Sequence, residues 1–142
     1  MTGPTPEQLA ASGSEDAHQT ALFAWAALNT SHWPELQLLF AIPNEGPSSE
    51  RQGGQLKVAG LRSGLPDVML PVARRGKHGL WIEMNVHPNR TTAAQDQWIR
   101  NLTAQGYMVY VAYSWWEAKQ CILDYLGAGR ALTPEGDFRP QK

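Results

Sequence analysis

The chain has 142 residues, 42% of them hydrophobic, one cysteine and a formal net charge of −1. That suits one domain with an ordinary core, excludes an internal disulfide, and argues against a protein that coats nucleic acid indiscriminately. No apolar run approaches the ~20 residues of a membrane span and no basic-then-apolar leader opens the chain, so the expectation is a cytoplasmic protein with no membrane partner.

Residues 1–13 are rich in Thr, Pro, Ser and Gly and read as a flexible lead-in. Ser12 and Glu15 stand at capping-box spacing and open a helix to about Asn29, with Ala21, Leu22, Trp25, Ala26 and Leu28 as its apolar face. His32-Trp33-Pro34 breaks it, and Leu36 to Ile42 reads as a strand closed by Pro43-Asn44. A polar loop and a short helix over 52–59, ended by Gly60, lead to two central strands, Val68 to Val72 and Leu80 to Val86. The polar segment from Arg74 to Gly79 between them is short enough for a hairpin. Thr92 and Gln95 cap a helix to about Gln105, where Gly106 stops it, and Tyr107 to Tyr113 alternates like a strand. Ser114 and Glu117 open a last helix ending near Leu126-Gly127. Trp25, Trp98 and Trp116 fall on helical faces and are assigned to the core, as is Cys121. The domain spans residues 14–127, and 128–142 form a tail. Strands and helices in this order give an α/β fold.

The chemistry lies on the hairpin. Asp67 opens the first strand and Glu83 interrupts the second, Leu-Trp-Ile-Glu-Met. Carboxylates in such runs are costly unless protonated, paired or bound to metal. A hairpin sets them side by side, and a hard divalent cation, Mg²⁺ or Mn²⁺, suits the pair. Glu83 and Asn85 share a strand face. The alternative for Asp67 is a plain turn residue after Gly64-Leu65-Pro66. Between Arg51 and Arg100 lie eight basic residues against three acids, two of which are Asp67 and Glu83. Arg62, Arg74, Arg75, Lys77 and Arg90 of this band, with Asn44 and Lys57, are candidate DNA contacts or ordinary surface. The four histidines show no paired metal spacing, which argues against zinc.

The sequence resembles the VRR-NUC branch of the PD-(D/E)XK nuclease superfamily, in its stand-alone phage and bacterial form. The resemblance runs from about Ser14 to Leu126 and rests on Glu15 with Gln19, Phe40-Ala-Ile-Pro-Asn44, Leu56-Lys57-x-x-Gly60, Gly64-x-Pro-Asp67, Ile82-Glu83-Met84, Gln95-x-x-Trp98 and Gly106-Tyr107. It implies a restriction-endonuclease-like mixed sheet flanked by helices, and a metal-dependent, structure-specific DNA endonuclease. Four-way (Holliday) junctions or other branched DNA would be the substrate, a homodimer the active form, and a bacterial host cell the setting if the protein is phage-encoded. It also implies that Asp67, Glu83 and the backbone carbonyl of Met84 hold the metal, with Glu15 and Gln95 in the catalytic site. Without it, Glu15 is explained as a first-turn acid and Gln95 as a capping residue. One position departs from the pattern: the catalytic lysine is replaced by Asn85, which brings no cation. Asn85 is either natural divergence or an engineered change that keeps the metal site and suppresses cleavage. The alternative reading is therefore a catalytically silent DNA-binding module. A sequence-specific restriction-type enzyme is disfavoured because no appended recognition segment is visible.

Overall fold

The computed structural model describes residues 3–43, 58–86 and 90–127. Among these, helices α1 (Pro6–Leu9), α2 (Glu15–Leu28), α3 (Ala93–Ala104) and α4 (Trp115–Leu126) surround strands β1 (Phe40–Ala41), β2 (Val68–Leu70), β3 (Leu80–Met84) and β4 (Met108–Ala112). The sheet order is β1-β2-β3-β4, antiparallel except for the parallel β3–β4 pair. The α/β mixed sheet expected from the sequence is therefore observed.

Strand periodicity sorts the two faces. Val68, Leu70, Leu80, Ile82 and Met84 join Leu22, Trp25 and Ala26 of α2 and Ala118, Cys121, Ile122 and Tyr125 of α4 in one core. Fully burying each larger aliphatic side chain contributes about 1.5–3 kcal/mol. Residues of opposite parity, Glu83 among them, face α3, which covers the other side of the sheet. Cys121 is core filler, its thiol pushed up to about 12 mainly by burial.

This topology gathers three helix starts at one end of the sheet. Strands β3 and β4 are parallel and pair Met84 with Ala112, so α3 and α4 both begin beyond that end. Helix α2 joins them through His18, whose Nδ1 accepts a hydrogen bond from the Trp115 N–H at 3.0 Å. Asp67 enters β2 at the same end.

Several expectations change. The lead-in folds: Thr5 and Gln8 form a reciprocal capping box with Pro6 at N1, making α1, and Ala10 reaches the core. The T-x-x-Q spacing was hidden by a loop-like composition. Helix α2 is capped by Ser14, which accepts from the Ala17 N–H at 3.0 Å, and Ser12 belongs to a preceding 3₁₀ turn. Pro34–Leu38 is also 3₁₀, with Pro34 at N1 and Leu36 and Leu39 buried, so the strand shrinks to Phe40–Ala41. Trp116 is 54% exposed rather than core. The helix expected over 52–59 falls mostly outside the described residues.

Candidate metal centre

Register puts the two carboxylates together. Val68 pairs with Ile82, so the next step along the hairpin sets Asp67 opposite Glu83. Asp67 is held on both sides: its carbonyl accepts from the Ile42 N–H at 2.7 Å, and its Oδ2 from the Met84 N–H at 2.7 Å. Glu83 is 3% exposed. Its Oε2 accepts from Gln95 Nε2 at 2.8 Å, while Oε1 is buried without a hydrogen-bond partner among the described residues. Burial above all, then the charge of Asp67, hydrogen bonding with its side chain and the charge of Glu15, push the Glu83 carboxyl up to about 9. Without a cation Glu83 is thus protonated at neutral pH and able to donate to Asp67, which two carboxylates cannot do for each other.

Gln95 both caps α3 and bonds to Glu83. Its Oε1 accepts from the Thr92 N–H at 2.7 Å, closing a capping box, which turns its amide nitrogen toward Glu83. The loop before Asp67 is clamped to the same helix. Gly64 has φ +89, and a Cβ there would stand 2.9 Å from the Ala94 backbone carbon. Glycine alone permits both the turn and the approach. Trp98 Nε1 donates to the Ser63 carbonyl at 3.0 Å, so this tryptophan ties the loop to α3.

A cavity of about 300 Å³ results, lined by Glu15, Arg62, Ser63, Gly64, Leu65, Asp67, Glu83 and Gln95. Glu15, the first residue of α2, thus meets the hairpin carboxylates. Asn85 is 3% exposed, gives its backbone N–H to the Ala112 carbonyl at 2.8 Å, and is absent from this lining. Its side-chain nitrogen is buried without a partner among the described residues.

Three residues of the basic band, Arg74, Arg75 and Lys77, lie at the hairpin turn. Three residue steps separate Asp67 from Leu70, so the hairpin turn is at least about 10 Å from the carboxylates. There Arg74 pairs with Glu35 at 2.7 Å, and Arg74 and Lys77 close the turn. Arg75, at φ +58, donates to the Tyr125 and Asp124 carbonyls at 3.3 and 3.1 Å. That caps the C-terminal end of α4, where a cation is favoured. The expectation that these cations surround the carboxylates is corrected: an arginine at a hairpin turn lies within reach of a helix end, and spacing alone does not reveal which. Arg90 is exposed just before α3, and among the described residues Arg62 alone of this group lines the cavity. Asn44 and Lys57 lie outside the described residues. His18 and Trp98 were not singled out from sequence as fixing the site. Only the G-x-P-D loop and the Gln95-x-x-Trp98 spacing hinted at the second.

The donors suit a hard cation. Asp67, Glu83 and Glu15 offer carboxylate oxygens, and a divalent ion would stabilise the Glu83 charge that burial opposes. Among the described residues no group of three or more His, Cys, Asp or Glu is placed to hold a metal ion, so Glu15 does not join the Asp67–Glu83 pair in a ready-made ligand set. Mg²⁺-type sites use one or two carboxylates, with waters and substrate oxygens completing the shell. Among the described residues no helix is long and apolar enough to cross a membrane.

Residues 14–116 match the VRR-NUC domain family. The fold is similar to the solved structure of a VRR-NUC domain protein, at 25% sequence identity and a TM-score of 0.71, covering 90% of this chain and 98% of that one. A comparison with curated proteins gave no match.

Proposed function

The chain belongs to the VRR-NUC family of nuclease domains, and on that premise we propose that it is a metal-dependent, structure-specific DNA endonuclease acting on four-way junctions or other branched DNA. The observation that carries the metal assignment is the buried Asp67–Glu83 pair facing a cavity with Glu15. Asp67, Glu83 and the carbonyl of Met84 would hold Mg²⁺ or Mn²⁺. Such an ion supplies Lewis acidity toward a phosphoryl oxygen and lowers the pKa of a bound water. Gln95 fixes the Glu83 carboxyl, and the Met84 N–H fixes that of Asp67, so both oxygen donors are oriented before a cation arrives. Glu15 adds negative charge for retaining the ion and an acceptor for orienting water.

Family resemblance carries the branched substrate and the homodimer. A two-fold dimer presents two equivalent sites, which suits paired incision of a junction. Sedimentation should give about twice the 15.7 kDa of one chain, and a monomer with and without DNA would remove the dimer. The competing reading, a catalytically silent DNA-binding module, is favoured by one observation: a buried amide, Asn85, stands where the family pattern has a cation. Incubating the protein with a mobile four-way junction and with linear duplex, in Mn²⁺ or in EDTA, separates the two. Slow cleavage of the junction in Mn²⁺ alone supports the nuclease. Binding without cleavage at any metal concentration supports the silent module.

A further inference from the structure

We propose that Arg62 supplies the cation that Asn85 cannot, and that the site cleaves DNA with a guanidinium in place of the lysine ammonium. The inference rests on the nuclease reading above and deepens it. Phosphodiester cleavage gathers negative charge on the phosphate, and a cation aimed there commonly contributes about 10²–10³ in rate. Asn85 brings no charge, is buried, and does not line the cavity.

The other described cations are committed or distant. Arg74 is bound to Glu35, and Arg75 to the carbonyl end of α4. Lys77 sits in the distant turn, and Arg100 is bonded to Gln97. Lys119 lies 5.6 Å from the ring centres of Trp115 and Trp116. Arg90 does not line the cavity. Arg62 does, beside Glu15, Asp67 and Glu83. Its side chain is exposed and among the described residues makes a single 3.3 Å bond, to the neighbouring Leu61 carbonyl, which a phosphate oxygen would readily replace. The two residues that follow it are anchored, because Gly64 packs on Ala94 and Trp98 holds Ser63. An exposed guanidinium beside this anchored loop, lining one cavity with the proposed metal ligands, is a fork for two phosphate oxygens.

The test is single-turnover cleavage of a branched DNA in Mn²⁺ by the full chain and by Arg62→Ala, Asn85→Lys and the double variant, with DNA affinity measured alongside. Arg62→Ala should slow cleavage about 10²-fold while changing affinity by less than about threefold, since one charge is lost mainly from the transition state. Dilute guanidinium chloride should speed Arg62→Ala and leave the parent unchanged, a rescue that a merely structural role would not give. Asn85→Lys should restore the Arg62→Ala protein about tenfold or more yet raise the parent far less, because the two cations answer the same need. Three results would overturn the inference and leave the nuclease standing. These are Mn²⁺-dependent cleavage indifferent to Arg62, an equal gain from Asn85→Lys in both backgrounds, and the same loss appearing in Lys57→Ala instead. No Mn²⁺-dependent cleavage by any of these proteins overturns the nuclease reading, and the inference with it.

Discussion

The two ends of the β2–β3 hairpin are both built from charged side chains, and they put them to opposite uses. At the turn end Arg74 meets Glu35 and Arg75 meets the last carbonyls of α4, so each guanidinium has a partner within the fold. At the open end Asp67, Glu83 and Glu15 bring three carboxyl groups to one cavity, and a Glu83 oxygen is left buried without a partner among the described residues. Charge at the first end is spent on holding elements together. At the second, three carboxyl groups share one cavity, and a cation from solution would stabilise the ionised form of Glu83 that burial opposes. Helix direction reinforces the contrast, because α4 presents its carbonyl end to Arg75, while α2, α3 and α4 all begin at the carboxylate end.

Substitutions at each end should therefore fail in different assays. The largest effect is expected from Asp67→Ala and Glu83→Ala, which should lower Mn²⁺-dependent cleavage at least about 10²-fold, with circular dichroism confirming the fold. Arg75→Ala should leave cleavage in place. It should cost about 1–2 kcal/mol in urea unfolding, from the lost bonds to the end of α4. Gln95→Glu sharpens the contrast within one residue. A carboxylate keeps the acceptor for the Thr92 N–H, so α3 stays capped, but it removes the amide donor to Glu83. The metal-free variant should lose about 1–3 kcal/mol, and Mn²⁺ should recover most of it. A pH slope adds a further contrast. Glu83 is protonated up to about 9 in the folded, metal-free protein but only to about 4.5 when unfolded. Below 4.5 both states hold the proton, and between 4.5 and 9 only the folded state does. Metal-free stability should thus fall as pH rises through that window. The slope should persist in Arg75→Ala and flatten in Glu83→Gln.

How much of this could be read from the chain depends on how local each feature is. The hairpin, the Thr92–Gln95 box, β4 and the Ser114 cap depend on neighbours in sequence, and all appear where the periodicity and spacing put them. The Asp67–Glu83 pairing was legible because a hairpin register is itself local. The charges were not. Which arginine meets a helix end and which meets the cavity is decided by packing between elements 49 to 50 residues apart, as in the Arg75 bonds to α4. Asn85 shows the same limit: the strand period sets its face, yet its burial outside the cavity lining depends on what covers the sheet end. Ser12 and Ser14 both stand near the same helix start, and only geometry selects Ser14 as the cap.

We propose that Asp67 and Glu83 form one divalent-metal centre. The decisive measurement is calorimetric titration of the intact protein with Mn²⁺, with Asp67→Ala and Glu83→Ala alongside. One site is expected in the parent, accompanied near neutral pH by release of the Glu83 proton, and no such site in either variant. Equal Mn²⁺ binding by the parent and both variants would contradict it.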